Sequence, residues 1–420
     1  MTSGECTIAY VNENITEYVH AALGNRCQSL SIVFPTVFIY VSIFVLGIVG
    51  NISTCIVIIA NKAMHNPTNY YLFSLAISDI LVLILGLPME LYQAMDFAYP
   101  YTFGVAICKA RAFLVEFTSY ASILIICCFS VERWLAICYP LRVKLFSTLS
   151  RANVLIVAAW SISFVAALPM AFIVRINRLP LPPFAQGQSW TSQVSTDELT
   201  VAGTDFCAMD QNQPEQQRSL IYFAFITFFM IPALLITVIY GHIAVKLHKV
   251  DTQLLIDKNS KSERRSRATR NVFKMLVSVV VSFFLCWLPF HMQRLISVFV
   301  MSSGSQAADS QAVQFVSMLV FYISGYCYYS NSACNPILYN ILSQNYRKAF
   351  CRTILGERLT KRIFPSFSRN RGVLKSNQEC SSHMTGHKGS ISATRPTNFE
   401  IWPLAKDCKV SEPEKSPQFL

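Results

Sequence analysis

Seven long stretches of apolar residues follow one another along the chain, separated by shorter polar segments. A helix that crosses a bilayer needs roughly 20 predominantly apolar residues, and each of these stretches is long enough. We number them spans one to seven, at about 33–60, 70–94, 106–138, 152–174, 219–247, 271–301 and 312–342. The pattern predicts an all-α membrane protein built as a seven-transmembrane helix bundle.

The composition supports a membrane protein and argues against a nucleic-acid-binding one. The chain has 420 residues, of which 53% are hydrophobic and only 14% charged, which is too apolar for an ordinary soluble protein. Its net charge of +12 comes largely from basic residues in the loop between spans five and six and in the C-terminal tail. We interpret these residues as topology signals and as a surface for lipid headgroups or a partner, and we expect no nucleic-acid partner.

The loop between spans five and six sets the predicted orientation. Its acidic residues, Asp251, Asp257 and Glu263, are outnumbered by Lys246, Lys249, Lys258, Lys261, Arg264, Arg265, Arg267 and Arg270. Basic loops stay in the cytoplasm, so the N terminus is expected outside the cell, in a multi-pass protein of the plasma membrane. The sequon Asn14-Ile15-Thr16 then makes Asn14 a candidate glycosylation site. Residues 1–30 lack the pattern of a cleaved signal peptide, so span one is expected to act as a signal anchor.

Four parts are expected along the chain: an extracellular tail (1–32), the bundle (33–343), a membrane-surface helix (344–355) and a disordered cytoplasmic tail (356–420). In "SQNYRKAFC", Tyr346 and Phe350 are four residues apart, with Arg347 and Lys348 on the other side. This spacing predicts a short amphipathic eighth helix. Cys351 is a candidate palmitoylation site, the alternative being an unmodified thiol. The Ser-rich tail reads as open to phosphorylation.

Two cysteines fall on the outer side of the predicted bundle, where disulfides persist. A disulfide between Cys108 and Cys207 would tie the outer end of span three to the second outer loop, at about 175–218. Cys6 and Cys27 could form a second bridge. The loop is rich in proline and acidic residues, so we expect it to form a polar, acidic cap.

Asp79 is expected near the middle of the bilayer. It follows Asn69 by ten residues, and a rise of about 1.5 Å per residue places it roughly 15 Å into the membrane. Charged side chains at this depth are costly and usually functional. Oxygen atoms for a hard cation or for water are offered by Asn51, Ser122, Asn331 and Asn335. We therefore expect a pocket for sodium and water, with a static hydrogen-bonded cluster as the alternative, and no other cofactor.

Two prolines are expected to let helices move. Pro289, in "FFLCWLPFH", removes one helical hydrogen bond and should kink span six. Trp287 lies just below the expected outer cavity, where an occupied cavity could bias that kink. Pro336, in "NPILY", frees a backbone carbonyl near Asp79, which is tolerable only where side chains or water satisfy it.

A charged pair lies at the expected cytoplasmic end of span three. Arg133 follows Glu116 by 17 residues, which is about 25 Å along one helix. We expect Glu132 to neutralise Arg133 in the resting state, and Arg133 to reach Tyr240 or Tyr339 when span six moves. The pair would then form a two-state latch, the alternative being a snorkelling interfacial pair.

These features together resemble the rhodopsin-like family of G-protein-coupled receptors over residues 33–352. The matching pieces are "GN" at 50–51, "LAISD" at 75–79, Cys108, "ERW" at 132–134, Trp160, Cys207, Pro232, Tyr240, "CWLP" at 286–289 and "NPILY" at 335–339. The resemblance implies that Ile123, Pro232 and Phe283 form a packed connector below the ligand pocket. It also implies that Arg133 meets a heterotrimeric G protein, with arrestin and receptor kinases as further partners.

Some positions depart from the pattern of individual receptor classes. Thr269 and Arg270 stand at the inner end of span six where some members carry Glu, so no ionic lock to Arg133 is expected there and basal activity could be appreciable. Span seven has no Lys, which excludes a retinal Schiff base. Val115 stands where amine receptors carry Asp, which argues against an amine ligand.

The expected outer cavity contains two acids and one base. Glu90 lies about 16 Å above Asp79, Glu116 lies below Cys108, and Arg294 lies at the outer end of span six. Two buried carboxylates favour a cationic ligand group, and Arg is the bidentate match. Aromatic side chains could line the same space, namely those of Tyr92, Phe290, His291, Tyr322 and Tyr326. In the alternative interpretation, Glu116 and Arg294 form an internal salt bridge and neither residue contacts the ligand.

A narrower resemblance follows from three segments. "NPTNYYLFSLAISDILVLILGLPMELYQ" at 66–93, Glu116 and "PFHMQRL" at 289–295 are similar to the neuromedin-U receptors and to invertebrate pyrokinin and capa-type receptors. This resemblance implies an extracellular amidated neuropeptide with Arg near its C terminus, and signalling mainly through Gq, phospholipase C and calcium. By position, Glu90, Glu116 and Arg294 would be the polar anchors of the pocket.

Other functions remain as alternatives at this point. A receptor for ghrelin-, motilin- or neurotensin-like peptides would share most of these features. A seven-span transporter would use Asp79 as an ion relay, but the sequence has no internal repeat. An enzyme is not expected, because the sequence lacks an HExxH motif, a G-x-S-x-G motif with partners and a phosphate-binding loop.

Overall fold

The computed structural model describes residues 8, 10, 12–95, 97–139, 148–256, 260–302, 311–342, 344–356 and 360, without the side chains of some residues near helix ends. Nearly all of the expected cytoplasmic tail therefore lies outside the described residues. The same holds for Cys6 and for the side chain of Tyr339.

In the described residues, seven long helices form the bundle, as the apolar pattern predicts. Their bounds are Leu30–Ala60, Pro67–Leu85 continued by Leu87–Met95, Gly104–Cys138, Leu149–Ile173, Pro214–Phe225 continued to Ile256, Ser260–Ser302 and Gln311–Leu342. Among the described residues, the first six of these helices are apolar and long enough to cross a membrane. The predicted fold class is confirmed.

Local signals in the sequence explain where two spans begin. Span two starts with Pro67 at its first position, and the side chain of Asn66 accepts a hydrogen bond from the backbone N–H of Asn69 at 3.1 Å. Span four starts after Thr148, whose hydroxyl accepts from the backbone N–H of Arg151 at 3.3 Å. Both residues satisfy helix-end N–H groups that would otherwise lack partners.

Span one approaches span seven closely at one glycine. A Cβ atom added to Gly50 would lie 2.8 Å from Pro336, so any larger residue would force the two helices apart. The neighbouring Asn51 donates to the backbone carbonyls of Ser332 at 2.8 Å and of Gly47 at 2.9 Å. Span one is thereby attached to the part of span seven that carries Pro336.

Span five contains a turn of π-helix at Ile226–Met230. The turn immediately precedes the segment with Pro232, which has no N–H to donate and whose ring crowds the preceding turn. A wider turn with one additional residue relieves that crowding, and such turns occur frequently at functional sites. Phe228 and Phe229 lie within the turn and are almost fully buried.

An outer cap lies on the bundle, formed by a helix at Glu13–Leu23 and the second outer loop. Ile15 and Val19, on one face of this helix, are buried against apolar residues of two loops, namely Tyr99, Leu179, Leu181, Ala185, Val194 and Val201. The hydroxyl of Tyr18 donates to the carbonyl of Pro180 at 3.0 Å. The loop thus has an apolar core, and the prediction of a polar, acidic cap did not include it.

The second outer loop also contains two short antiparallel strands, β1 (Val174–Asn177) and β2 (Phe206–Met209), with Val174 opposite Met209. Cys207 on β2 forms a disulfide with Cys108 on span three, as proposed from the sequence. Cys27 is also disulfide-bonded. The Cys108–Cys207 disulfide ties the loop to the outer end of span three.

A short helix at Gln344–Phe350 follows span seven and continues into a π turn at Cys351–Leu355. Tyr346 is buried, and its hydroxyl bonds to that of Thr54 at 2.8 Å. The side chain of Asn61 donates to the hydroxyl of Thr353 at 2.8 Å. Both contacts attach the helix to span one, and Cys351 on it is a half-buried free thiol.

Candidate ligand site

A cavity of about 270 Å³, here called the ligand cavity, opens at the outer end of the bundle. Spans one, two, three, four, six and seven contribute to its wall, as do Val174 of strand β1 and Cys207, Ala208 and Met209 of strand β2. Its polar and charged lining residues are Glu90, Arg111, Glu116, Gln293, Arg294 and Ser324. Glu90, Glu116, Arg294 and Phe290 therefore lie together, as the sequence predicts.

Glu116 is deeply buried and forms an ion pair with Arg294. The residue is 2% exposed, and one terminal nitrogen of Arg294 donates to its Oε1 atom. The Arg294 guanidinium also lies over the ring of Phe290, 4.5 Å from the centroid, in a cation–π arrangement. This contact joins span three to span six across the cavity.

Glu90 has a partner that the sequence analysis misses. Arg111, on span three, donates from a terminal nitrogen to Oε1 of Glu90 on span two. The Glu90 side chain is 24% exposed, whereas that of Glu116 is 3% exposed. The cavity thus contains two carboxylates and two guanidinium groups, so it is balanced in charge and not acidic as the sequence suggests.

Arg111 and several tyrosines are lining residues absent from the sequence prediction. Tyr40, Tyr328 and Tyr329 all line the cavity. Tyr40 fits because residue 325 is glycine, since an added Cβ there would lie 2.5 Å from the Tyr40 hydroxyl. Arg111 gives only a weak signal in the sequence, because it stands beside Lys109 near the outer end of span three, where charged residues are common.

Four residues predicted to line the cavity lie elsewhere in the described part of the chain, namely Tyr92, His291, Tyr322 and Tyr326. The ring of Tyr92 packs edge to face with that of Phe103, at 4.9 Å between centroids. His291 is 3% exposed and packs among aromatic rings below the cavity, including those of Phe229 and Trp287. The hydroxyl of Tyr326 bonds to that of Thr36 at 2.6 Å, and the ring of Tyr322 lies 6.3 Å from that of Tyr326. His291, Tyr322 and Tyr326 each follow a lining residue by one position, and therefore point about 100° away from it around the helix axis.

Aromatic contacts connect the cavity to the part of span six that contains Pro289. Tyr328 lines the cavity, and its ring stacks on Phe290 at 4.7 Å. The edge of the same ring meets Trp287 at 5.8 Å, two residues before Pro289. A group that displaces Tyr328 therefore presses directly on the large side chain beside the proline.

The proposed connector residues are buried together in the core below the cavity. Ile123 is 1% exposed and Phe283 is 2% exposed. Phe283 stacks on Phe229 of the π turn at 6.0 Å, and Pro232 follows that turn and is also buried. Span five is thus in contact with span six just below Trp287.

Asp79 is completely buried and only partly satisfied. Its Oδ2 atom accepts from the side chain of Asn335 at 2.8 Å, while Oδ1 has no hydrogen-bond partner among the described residues. The Oδ1 atom of Asn51 also has no hydrogen-bond partner within the described chain. Ser122 donates to Ser78 at 2.8 Å, and Asn331 is buried nearby. Two unsatisfied oxygen atoms are what a hard cation or water requires.

At the cytoplasmic end, the described residues show no direct ion pair between Glu132 and Arg133, although the charge of Glu132 still acts on Arg133. Glu132 forms its ion pair with Arg151 of span four at 3.8 Å. The guanidinium of Arg133 lies over the ring of Phe129, 5.3 Å from the centroid. Because neighbouring residues on a helix point about 100° apart, the acid turns to span four and the base turns elsewhere. Tyr240 bonds to Ser130 at 3.1 Å, one turn above Arg133.

Comparison with known proteins decides the family. The model of the "7 transmembrane receptor (rhodopsin family)" matches residues 50–339. The chain belongs to the rhodopsin family of seven-transmembrane receptors. It is thus a G-protein-coupled receptor of the plasma membrane and not an enzyme.

Individual relatives of this receptor refine its placement. It is 60% identical to the neuromedin U receptor homologue nmur-2 of Caenorhabditis elegans, over 93% of this chain and 97% of the relative. It is 34% identical to the pyrokinin-1 receptor of Drosophila melanogaster, over 81% and 84%. It is 37% identical to neuromedin-U receptor 2 of Homo sapiens, over 76% and 71%. The resemblance to this group of receptors, stated from three sequence segments, is confirmed.

Proposed function

We propose that this receptor binds an extracellular, amidated neuropeptide with Arg near its C terminus and signals mainly through Gq, phospholipase C and calcium. The names of its relatives, neuromedin-U and pyrokinin receptors, support a peptide of this type. The basic inner loop supports an N terminus and a ligand cavity that face outward.

The two Glu–Arg pairs in one cavity carry the proposal. A ligand Arg competes with an internal Arg for the same carboxylate, so one guanidinium replaces another and no carboxylate is left unpaired. Glu90 is the first contact, because its side chain is 24% exposed and that of Glu116 only 3%. A second exchange at Glu116 releases Arg294 from span three and thereby frees the outer end of span six.

Signal transmission follows the contacts below the cavity. A ligand that moves Tyr328 shifts Trp287, and the kink at Pro289 lets the inner half of span six swing outward. Arg133 then leaves the Phe129 ring and meets the G protein, with Tyr240 and Tyr339 as its new partners. Receptor kinases and arrestin act on the same cytoplasmic face and on the tail.

Sodium is proposed to bind at Asp79 in the resting receptor. The unsatisfied Oδ1 of Asp79 supplies the charge, and oxygen atoms from Ser122, Asn331 and Asn335 are available around it. The residues present fit a small hard cation. Such an ion neutralises a carboxylate that would otherwise be buried at high cost.

Two covalent modifications are proposed on opposite sides of the membrane. Asn14 is exposed on the first turn of the outer-cap helix, which suits glycosylation. Cys351 lies on the membrane-surface helix, where an attached palmitoyl chain would enter the bilayer. The absence of an acidic residue at 269–270 supports appreciable basal signalling.

The test is a calcium assay in cells that express the receptor. Peptides ending in Phe-x-Pro-Arg-x-amide are compared with their free acids and with Arg-to-Ala versions. The amidated Arg peptides should respond, and the Glu90→Gln receptor should need at least about tenfold more peptide, since truncating one partner of a buried ion pair costs about 2–5 kcal/mol. Glu215→Gln, at an exposed pair outside the cavity, is the matched control.

Two results would count against the proposal. If the Arg-to-Ala peptides were as potent as the Arg peptides, Glu90 and Glu116 would not bind a ligand Arg. Silence across the panel, with the receptor detected at the cell surface, would move the ligand to another peptide class such as ghrelin- or neurotensin-like peptides.

A further inference from the structure

The part of the second outer loop beyond strands β1 and β2, residues 178–205, is here called the distal loop. Its two sides stay paired, because the backbone N–H of Leu181 donates to the carbonyl of Leu199 at 2.7 Å. The N–H of Val201 likewise donates to the carbonyl of Leu179 at 2.9 Å. The distal loop thus continues the β1–β2 hairpin, and a hairpin of two strands needs further packing, for example against a helix, to be stable in water.

The outer-cap helix, Glu13–Leu23, supplies this packing. Ile15 and Val19 are 0% and 2% exposed, and they share one apolar cluster with Leu181 and Val201 of the distal loop. The helix depends on the loop in return, because isolated helices shorter than about 12–15 residues are marginal in water and this one has 11 residues. The two segments therefore stabilise each other.

Two tyrosine hydroxyls add hydrogen bonds between the N-terminal segment and the distal loop. The hydroxyl of Tyr10 donates to the carbonyl of Ala202 at 2.8 Å, and that of Tyr18 donates to the carbonyl of Pro180 at 3.0 Å. Pro180 and Ala202 belong to opposite sides of the paired loop. The N-terminal segment therefore joins both sides.

Beyond the outer-cap helix, the chain is fixed to the first outer loop, between spans two and three. The Nε–H of Arg26 donates to the carbonyl of Tyr99 at 3.0 Å, and its guanidinium lies over the ring of Phe97, 3.9 Å from the centroid. The backbone N–H of Tyr101 donates to the carbonyl of Asp205 at 2.7 Å, next to the start of strand β2. The N-terminal segment thus reaches the hairpin by a second route.

Strand β2 is the part of the hairpin that contributes most to the wall of the ligand cavity. Cys207, Ala208 and Met209 all line the cavity, and Cys207 is bonded to Cys108 of span three. The disulfide fixes β2 at one residue only. The pairing and direction of the strand depend on how the rest of the hairpin is packed.

We propose that the outer-cap helix is a positioning element of the ligand cavity: by packing Ile15 and Val19 on the distal loop, it holds strand β2 in place as part of the cavity wall. The described residues of the helix do not line the cavity, so the helix acts through the loop. When the helix detaches, the wall should open more often and a bound molecule should leave faster. This kinetic consequence rests on the proposed ligand site, and the coupling between helix and strand does not.

Hydrogen exchange in the full-length, ligand-free receptor measures this coupling. Val19→Glu places a charge in the apolar cluster and should detach the helix. Amide protection should then fall at least about tenfold over 179–201, because burying a valine side chain is worth more than a tenfold change in an equilibrium constant. It should fall several-fold at 206–209, where the strand loses its support. Ala22→Glu, on the exposed side of the same helix, is the matched control and should exchange as the parent receptor does.

Two further variants separate detachment from misfolding. Val19→Ile keeps the apolar contact and should be protected as the parent receptor is. Tyr10→Phe removes one hydroxyl and leaves the apolar cluster intact, so protection over 179–201 should fall about 2- to 12-fold, the factor expected for one hydrogen bond. Thermal unfolding of the bundle at the parent temperature shows that each variant is folded.

Loss of protection over 179–201 with unchanged protection at 206–209 in Val19→Glu would overturn the proposal, because the disulfide alone would then hold β2. Unchanged protection in both segments would overturn it as well.

A labelled, amidated Phe-x-Pro-Arg-x peptide gives the second readout. It should dissociate several-fold faster from Val19→Glu than from Ala22→Glu, with the same maximal calcium response. Equal dissociation rates would show that the cavity wall does not depend on the helix. If the peptide binds no form of the receptor, the proposed function fails, and hydrogen exchange still decides the role of the helix.

Discussion

The outer cavity and the Asp79 region both place carboxylates inside the bundle, but they satisfy them differently. In the cavity, Glu90 and Glu116 each have an Arg partner. In the Asp79 region, the carboxylate has one amide donor from Asn335, and its second oxygen has no partner within the described chain. In the cavity, each carboxylate already has a partner, which a competing cation would have to displace. In the Asp79 region, the second carboxylate oxygen gains a partner only when an ion or a water molecule binds.

The difference teaches how each region can respond to a ligand. A carboxylate that is already paired responds when a ligand group replaces its partner, so the ligand group must resemble that partner. A carboxylate oxygen without a partner responds when an ion binds beside it or leaves, so the ion need only be small and positively charged. Substitution in the first region should therefore cost stability, and substitution in the second should mainly remove ion sensitivity.

The largest effect is expected for Glu116→Gln. The change leaves Arg294 charged and without its carboxylate, and breaking a buried ion pair in this way costs about 3–5 kcal/mol. Thermal unfolding of the purified receptor in detergent should shift to clearly lower temperature. Glu215→Gln, at an exposed pair expected to be worth about 0–1 kcal/mol, is the control. Equal melting of the two variants would mean that Glu116 and Arg294 do not depend on each other.

A smaller effect is expected for Asp79→Asn. Sodium should stabilise the parent receptor against heat, by about 1.4 kcal/mol when its concentration is ten times its Kd. The variant lacks the charge that attracts the ion, so the stabilisation should disappear. Choline chloride at the same ionic strength controls for screening. A sodium effect that persists in Asp79→Asn would place the ion elsewhere.

The smallest effect is expected outside the membrane, at Asp197 in the second outer loop. The Thr200 hydroxyl, followed by the backbone N–H groups of Thr200 and Leu199, holds the pKa of Asp197 below its usual range. The stabilisation of the loop by these bonds is complete above the unfolded pKa of about 3.9, and it is lost as pH falls from there through the lower folded pKa.

Hydrogen exchange at the amides of Leu199 and Thr200 measures this local effect. Protection, corrected for the intrinsic rate, should decrease on acidification in the parent receptor. In Asp197→Ala, protection should already be low and independent of pH. A parent loop equally protected at low pH would show that other contacts hold it.

The sequence predicts most of the bundle because the bilayer imposes a simple rule on every span. Span bounds agree within a few residues, except where spans five and six extend beyond their apolar stretches. The outer cap is harder to predict from the sequence, because Ile15 and Val19 are buried by loop residues that are distant in sequence, such as Leu181 and Val201. No local periodicity marks those loop residues.

In the site, charge is easier to predict than pairing. Glu90, Glu116 and Arg294 stand out as charges in apolar stretches, and they do meet in one cavity. Arg111 near the start of span three resembles an ordinary boundary residue until Glu90 is seen beside it. Likewise, Glu132 and Arg133 are adjacent in sequence, yet helix geometry directs Glu132 to Arg151. Partners depend on rotation about each helix axis, which composition does not encode.

The π turn at Ile226–Met230 has a consequence for how this receptor is aligned with others. One additional residue in a helix rotates everything before it by about 100° relative to everything after it. A receptor with an uninterrupted fifth helix therefore matches this chain only if a single-residue gap is placed between 226 and 230. Without that gap, every residue of 214–225 is compared with a neighbour that faces a different direction.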